Sequence, residues 1–267
     1  MKKVLLLTLC LLLTAPLVLA QARPTGGVQG NQVQPYGYTH CGPGDAILPT
    51  DGSRISDTIG AASSNFYFVH LKAGHSYAAE VWDAIDISNT VTASLHLWNS
   101  SCGTSISATD VVSTDPDLSN MYADRISWIQ GADALEVLEM RSAATAARSY
   151  EIRIVDTTLF SPRWSTWSGF LTQWGFYNVT NSNISGVFTV FDTTGAAIKS
   201  VNVTVSAGKV KFYSSIPADL NLPNNTSGSV MFAYIGPAGA FEADAMILNT
   251  PAGAYVTIKF EPRNYQH

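Results

Sequence analysis

The chain has 267 residues, 46% of them hydrophobic and only 13% charged, with a formal net charge of −5. Nucleic acid demands clustered Lys and Arg, and this balance argues against it and against an anionic membrane surface. Frequent Thr, Ser, Asn, Gly and aromatic residues instead suit an extracellular β protein whose wet faces carry hydroxyls and amides.

Residues 1–22 read as a secretory signal peptide. Lys2 and Lys3 precede an almost unbroken apolar run from Val4 to Leu19, and Val18-Leu19-Ala20 and Ala20-Gln21-Ala22 both fit a signal-peptidase site. The expected address is therefore exported: periplasm, cell surface or extracellular. No later stretch approaches the roughly 20 apolar residues of a transmembrane helix, so no transmembrane segment is predicted. Residues 23–40, rich in Gly, Gln and Pro, read as a disordered leader. Cys10 leaves with the signal. Cys41 and Cys102 remain, an even pair in an oxidising compartment, and read as one disulfide rather than two free thiols or a metal site.

From Cys41 onward the pattern is period two, broken by turn residues. Phe66, Phe68 and His70 alternate with Tyr67, Val69 and Leu71, then Ala73-Gly74 turns the chain into a strand carrying Tyr77, Ala79 and Val81 on one face. Ser94 to Trp98, Ile126 to Ile129, Leu135 to Met140 and Arg148 to Val155 complete a first set, spanning 41–158. Leu159-Phe160-Ser161-Pro162 is the best boundary, because Pro162 breaks the pattern. A second set over 159–267 has candidate strands at 170–178, 186–192, 197–205, 209–213, 229–235, 241–248 and 255–260. Seven short strands with turns at this spacing are the signature of a sandwich. The expected fold is all-β: two tandem antiparallel β-sandwiches of jelly-roll or Ig-like kind.

No G-x-S-x-G elbow and no H-E-x-x-H occurs. His40, His70, His75, His96 and His267 are scattered, and His70 and His96 read as sheet residues. Glu80 with Asp83, Glu136 with Glu139, and Glu242 with Asp244 are carboxylate pairs of the kind a glycosidase needs. The last pair shares one strand face about 7 Å apart, and a solvated face is the simpler reading. Asp115 and Asp117, in a polar loop, are weak calcium candidates, but their spacing fits no EF-hand. No cofactor is expected. Trp164, Trp167 and Trp174 fall within eleven residues. Exposed, they would make a carbohydrate or peptide platform; buried, they would plug the junction between the sandwiches.

Asn65 to Gly74, the following strand to Trp82, Leu95-His96-Leu97-Trp98 and the closing Ser149 to Ile154 resemble the bacterial pre-peptidase C-terminal domain over residues 45–156. That resemblance implies a small secreted β-sandwich, often appended to proteases, and a bacterial source. Ser94 and His96 stand where the family often carries acidic residues. Residues 173–181 and 190–195 resemble a second secreted bacterial β-sandwich of unknown function. The reading expected from all of this is an exported, non-catalytic binding or scaffolding protein with a protein or polysaccharide ligand at the cell surface. A carbohydrate-binding accessory protein using the Trp cluster is the alternative, and a small secreted hydrolase the second.

Overall fold

A computed structural model describes residues 46–83, 93–99, 105–109, 123–142, 145–249 and 251–262. The expected signal and leader, Cys41, Cys102, Asp115 and Asp117 lie outside the described residues.

The protein is built from four sheets, and no ladder joins a described strand ending by Asp156 to one beginning at Leu159 or later. In the N-terminal half, one sheet runs β1 (Ala46–Ile47), β3 (Ser64–Leu71), β8 (Ala134–Ser142), β5 (Ala93–Asn99), β6 (Ser105–Thr109). It faces β2 (Ile55–Ile59), β9 (Arg148–Asp156), β4 (Ser76–Asp83) and β7 (Ala123–Ile129). Pairing is antiparallel except for the two-residue β1, which lies parallel to β3. Successive strand side chains point to opposite faces, so Tyr67, Val69 and Leu71 enter the core with Tyr77, Ala79 and Val81, while His70 stays exposed.

The C-terminal half repeats the architecture. One sheet runs β13 (Ala197–Val205), β12 (Ile184–Phe191), β15 (Ser227–Ile235), β10 (Leu159–Ser165), β18 (Glu261–Pro262). The other runs β14 (Val210–Ser214), β11 (Phe170–Asn178), β16 (Phe241–Asn249), β17 (Ala254–Lys259). The all-β, two-sandwich expectation is therefore met.

Strands Ala46–Ile47, Ile55–Ile59, Ser105–Thr109 and Leu159–Ser165 are not in the sequence reading. Leu159 to Ser165 is a strand and not merely a connector. Pro162 has no N–H to give a ladder, but the β10–β15 register shifts between Ser161 and Trp164, and β18 pairs only with Leu159 and Phe160. Pro162 thus occupies an irregularity where no ladder bond is required of it.

The link between the sandwiches is short and internally bonded. Thr157 and Thr158 are buried. The Thr157 amide donates to Ser76 O at 2.8 Å, the Ser76 amide to Thr158 Oγ1 at 2.8 Å, and the Thr158 amide to Asp156 Oδ1 at 3.0 Å. His75 Nδ1 lies 2.7 Å from Asp156 Oδ2, and its ring sits 5.4 Å from that of Phe160 on the other sandwich. Ser127 Oγ donates across the junction to Gly236 O at 3.1 Å. The two sandwiches thus touch across this junction through the Ser127–Gly236 bond and the His75–Phe160 ring contact.

Candidate functional site

The tryptophan cluster does not form a face. Trp164 and Trp174 are fully buried inside the C-terminal sandwich. Trp164 sits on β10 and donates its Nε1–H to Phe191 O at 2.8 Å. Trp174 sits on β11 in the opposite sheet, edge-on to Phe188 at 5.3 Å. Only Trp167, on a 3-10 turn at Trp167–Gly169, is exposed. The binding platform of Trp164, Trp167 and Trp174 is thus corrected, and so is the junction plug: two rings point inward from facing sheets and belong to one sandwich core. Proximity along the chain did not become proximity on a surface, because the turn between β10 and β11 carries the chain from one sheet to the other.

The histidines and carboxylates also separate. His96 is buried beside Ser94, whose Oγ lies 3.0 Å from His96 Nε2. Glu139 stands opposite His96 in the ladder, and its carboxylate accepts from Ser64 Oγ at 2.6 Å, Trp98 Nε1 at 2.9 Å and the Arg141 guanidinium at 3.0 Å. Glu136 and Glu139 are three apart on β8 and point to opposite faces. Glu80 is buried and held by Arg153, whose Nε donates at 2.7 Å. Among the described residues, no group of three or more His, Cys, Asp or Glu is placed to hold a metal ion.

Glu242 and Asp244 are different. They project from the outer face of β16, exposed, and neither side chain makes an ion pair or hydrogen bond with any described residue. Strand order brings partners to them. Tyr177 on β11 pairs with both Val210 and Glu242, and Gly175 pairs with both Phe212 and Asp244, which in turn faces Lys259 on β17. Two rows therefore cross the sheet: Val210, Tyr177, Glu242, and beside it Phe212, Gly175, Asp244, Lys259. Phe212 is 69% exposed and Tyr177 39%.

Gly175 shapes the second row. A Cβ there would stand 3.2 Å from Asp244 Oδ1 and 3.3 Å from Phe212 Cε1. Absence of a side chain lets an aromatic ring and a carboxylate converge over bare backbone. The rows form the wall of a cleft of about 630 Å³ that reaches Val155, Asp156 and Thr157 of the N-terminal sandwich, a size usual for ligand sites. Tyr234 also lines it, and burial raises its phenol above the ordinary range, leaving it neutral.

No family model and no curated protein matches the chain. Similar solved structures include the full extracellular region of zebrafish Gpr126/Adgrg6, at 9% identity over 79% of this chain and 30% of that one, with a TM-score of 0.26. They also include the N-terminal CBM22-1-CBM22-2 tandem domain from Paenibacillus barcinonensis Xyn10C, at 10% identity over 79% and 90% and a TM-score of 0.22. A third is Bacteroides uniformis beta-glucuronidase, at 8% identity over 75% and 26% and a TM-score of 0.18. The chain thus spans less than a third of the zebrafish and glucuronidase chains. At these scores the likenesses carry no functional argument.

Sequence reasoning found Glu242 and Asp244, and grouped Tyr177 with the aromatic residues around Trp174, but missed Phe212, Gly175 and Lys259. Each lies on a strand legible from its alternation. The order β14-β11-β16-β17 that aligns them is a long-range property without a local signal. Among the described residues, no helix is long and apolar enough to cross a membrane.

Proposed function

We propose that this is an exported, non-catalytic binding protein, and that it binds through the cleft on the outer face of the β14-β11-β16-β17 sheet. The observation that carries the reading is one juxtaposition: exposed Phe212 and Tyr177 beside Glu242 and Asp244, two carboxylates without internal partners. Aromatic rings left in water at the wall of a concavity, next to polar groups with unused hydrogen-bonding capacity, are the composition of a recognition site. The junction contacts support the same reading, since a cleft lined by both sandwiches needs them to touch. Residues 1–22, with their charged start, apolar run and small-residue end, support export.

The test is sedimentation with washed bacterial envelopes, comparing wild type with a Tyr177→Ala/Phe212→Ala double variant. Saturable co-sedimentation that weakens at least about tenfold in the variant is the expected result, a loss of about 1.4 kcal/mol. Equal binding by both proteins would remove the cleft from consideration. Both side chains are largely outside the core, so thermal unfolding of the variant serves as a control for folding.

A further inference from the structure

Resting on the cleft reading above, we infer that the ligand is a neutral carbohydrate chain, one sugar of which packs on the exposed part of the Phe212 ring. The argument is one of matching chemistry. The Phe212 ring is exposed and converges with the Asp244 carboxylate over a backbone position without a side chain. A pyranose has the same two-sided character: an apolar C–H face that packs on an aromatic ring, and equatorial hydroxyls that donate. The Glu242 and Asp244 carboxylates offer acceptor oxygens, which suits a ligand rich in donors.

Charge then narrows the class. An anionic sugar, such as a uronate, would meet two carboxylates against the one Lys259 ammonium, and the excess of like charge repels. A cationic ligand, an ammonium or an Arg- or Lys-rich peptide, would match the carboxylates and the ring faces. It would also meet the Lys259 ammonium directly across the ladder from Asp244. A neutral polyol meets no like charge anywhere. Its hydroxyls donate to Glu242 and Asp244 and accept from the Lys259 ammonium and the Tyr177 phenol, all of which stand in the two adjacent rows. The extent of the wall suits several sugar units rather than one, because Tyr177 and Phe212 lie on successive outward positions of neighbouring strands.

The experiment is calorimetric titration of the full secreted chain with three probe sets. The first is neutral hexasaccharides of β-1,4-glucose, β-1,4-xylose, β-1,4-mannose and α-1,4-glucose. The second is oligogalacturonate, and the third is oligolysine. The expected result is saturable binding of at least one neutral probe, at least about tenfold tighter than either charged set and weakened at least about tenfold by Phe212→Ala. A Glu242→Gln/Asp244→Asn variant should narrow the gap to oligogalacturonate, since it removes the repulsion while leaving groups that hydrogen-bond. Preference for oligolysine or oligogalacturonate overturns the proposal, as does a neutral probe bound equally by Phe212→Ala. If no probe saturates but envelope binding still depends on Tyr177 and Phe212, the carbohydrate class falls and the cleft reading stands. If envelope binding is also insensitive to the cleft, both fall.

Discussion

The two sandwiches share a layered architecture and fill it with different chemistry. The N-terminal one places ionisable and polar groups where side chains are buried. Asp57 accepts from Tyr67 Oη at 2.7 Å, the Tyr67 and Tyr150 hydroxyls bond each other, and Asn65 Nδ2 donates to Tyr150 Oη at 2.7 Å. Burial drives both phenols far above their ordinary range. The Glu80–Arg153 pair and the Glu139 cluster add further buried charge. The C-terminal sandwich is organised around rings: Phe176 touches Phe232 at 4.5 Å, Phe188 at 5.1 Å and Phe260 at 5.6 Å between centroids. Polar networks specify geometry through directional bonds but expose the fold to the full cost of any missing partner. Ring packing is less directional and is indifferent to pH. The cleft lies chiefly on the sandwich whose core is made of rings, so its rigid backing does not depend on protonation.

The contrast breaks most visibly at Phe176. It is fully buried at the centre of the ring cluster, and Phe176→Ala should cost about 3–5 kcal/mol in urea unfolding, from lost transfer energy plus the cavity left behind. A loss below about 1 kcal/mol would show that the rings do not dominate this half.

Arg153→Ala probes the other half. It strips the hydrogen-bonded guanidinium from Glu80, whose side chain is almost inaccessible, and leaves Arg125 across the ladder as its nearest cation, at a cost of about 3 kcal/mol. The sharper form is a double variant, Glu80→Met/Arg153→Met. Replacing a buried pair by apolar residues is often neutral, so this variant should recover most of the loss. If the double variant is as unstable as Arg153→Ala, the pair does more than neutralise itself. The Arg153 guanidinium, stacked 4.9 Å over the Trp82 ring, would then be the place to look.

The same contrast explains what was legible in the sequence. Strands Phe170–Asn178 and Ala197–Val205 were readable in their bounds, the second from Val201, Val203 and Val205 alternating with Asn202 and Thr204. Strand β2, Ile55–Ile59, was not. Its inward positions are Ile55, Asp57 and Ile59, and a carboxylate in the middle breaks the apolar alternation. Asp57 belongs there only because Tyr67 and Asn65, on another strand, supply its bonds. Pro162 hid β10 in the same way, through a register shift that only the partner strand reveals. At the site, the spacing of Glu242 and Asp244 established a shared face, while the rings beside them came from strand order. Local pattern reports which face a residue takes, and nonlocal pairing decides what it meets there.

The smallest predicted effect tests whether buried charge makes the N-terminal sandwich the pH-sensitive half. Glu136 is buried on β8, its Oε2 has no partner among the described residues, and burial raises its pKa above the ordinary carboxylate value of 4.5. The folded protein therefore holds the proton more tightly than the unfolded chain. For a raised pKa, the favourable contribution is fully present below the unfolded value and is lost as pH rises through the folded value. Gln is a neutral mimic of the protonated acid. Glu136→Gln should match wild type near pH 4 and become progressively more stable than it toward pH 7, read as a widening gap in urea midpoints at unchanged slope. A gap that is flat with pH would mean that Glu136 keeps an ordinary affinity for its proton. The C-terminal reference is Asp192, whose carboxylate is held below its ordinary pKa by the Thr194 hydroxyl and by the backbone amides of its own turn. It is half-exposed, and its contribution runs the opposite way, present above the unfolded pKa and lost in acid. Opposite signs at Glu136 and Asp192 let one pH series separate a carboxylate that the fold burdens from one that a turn employs.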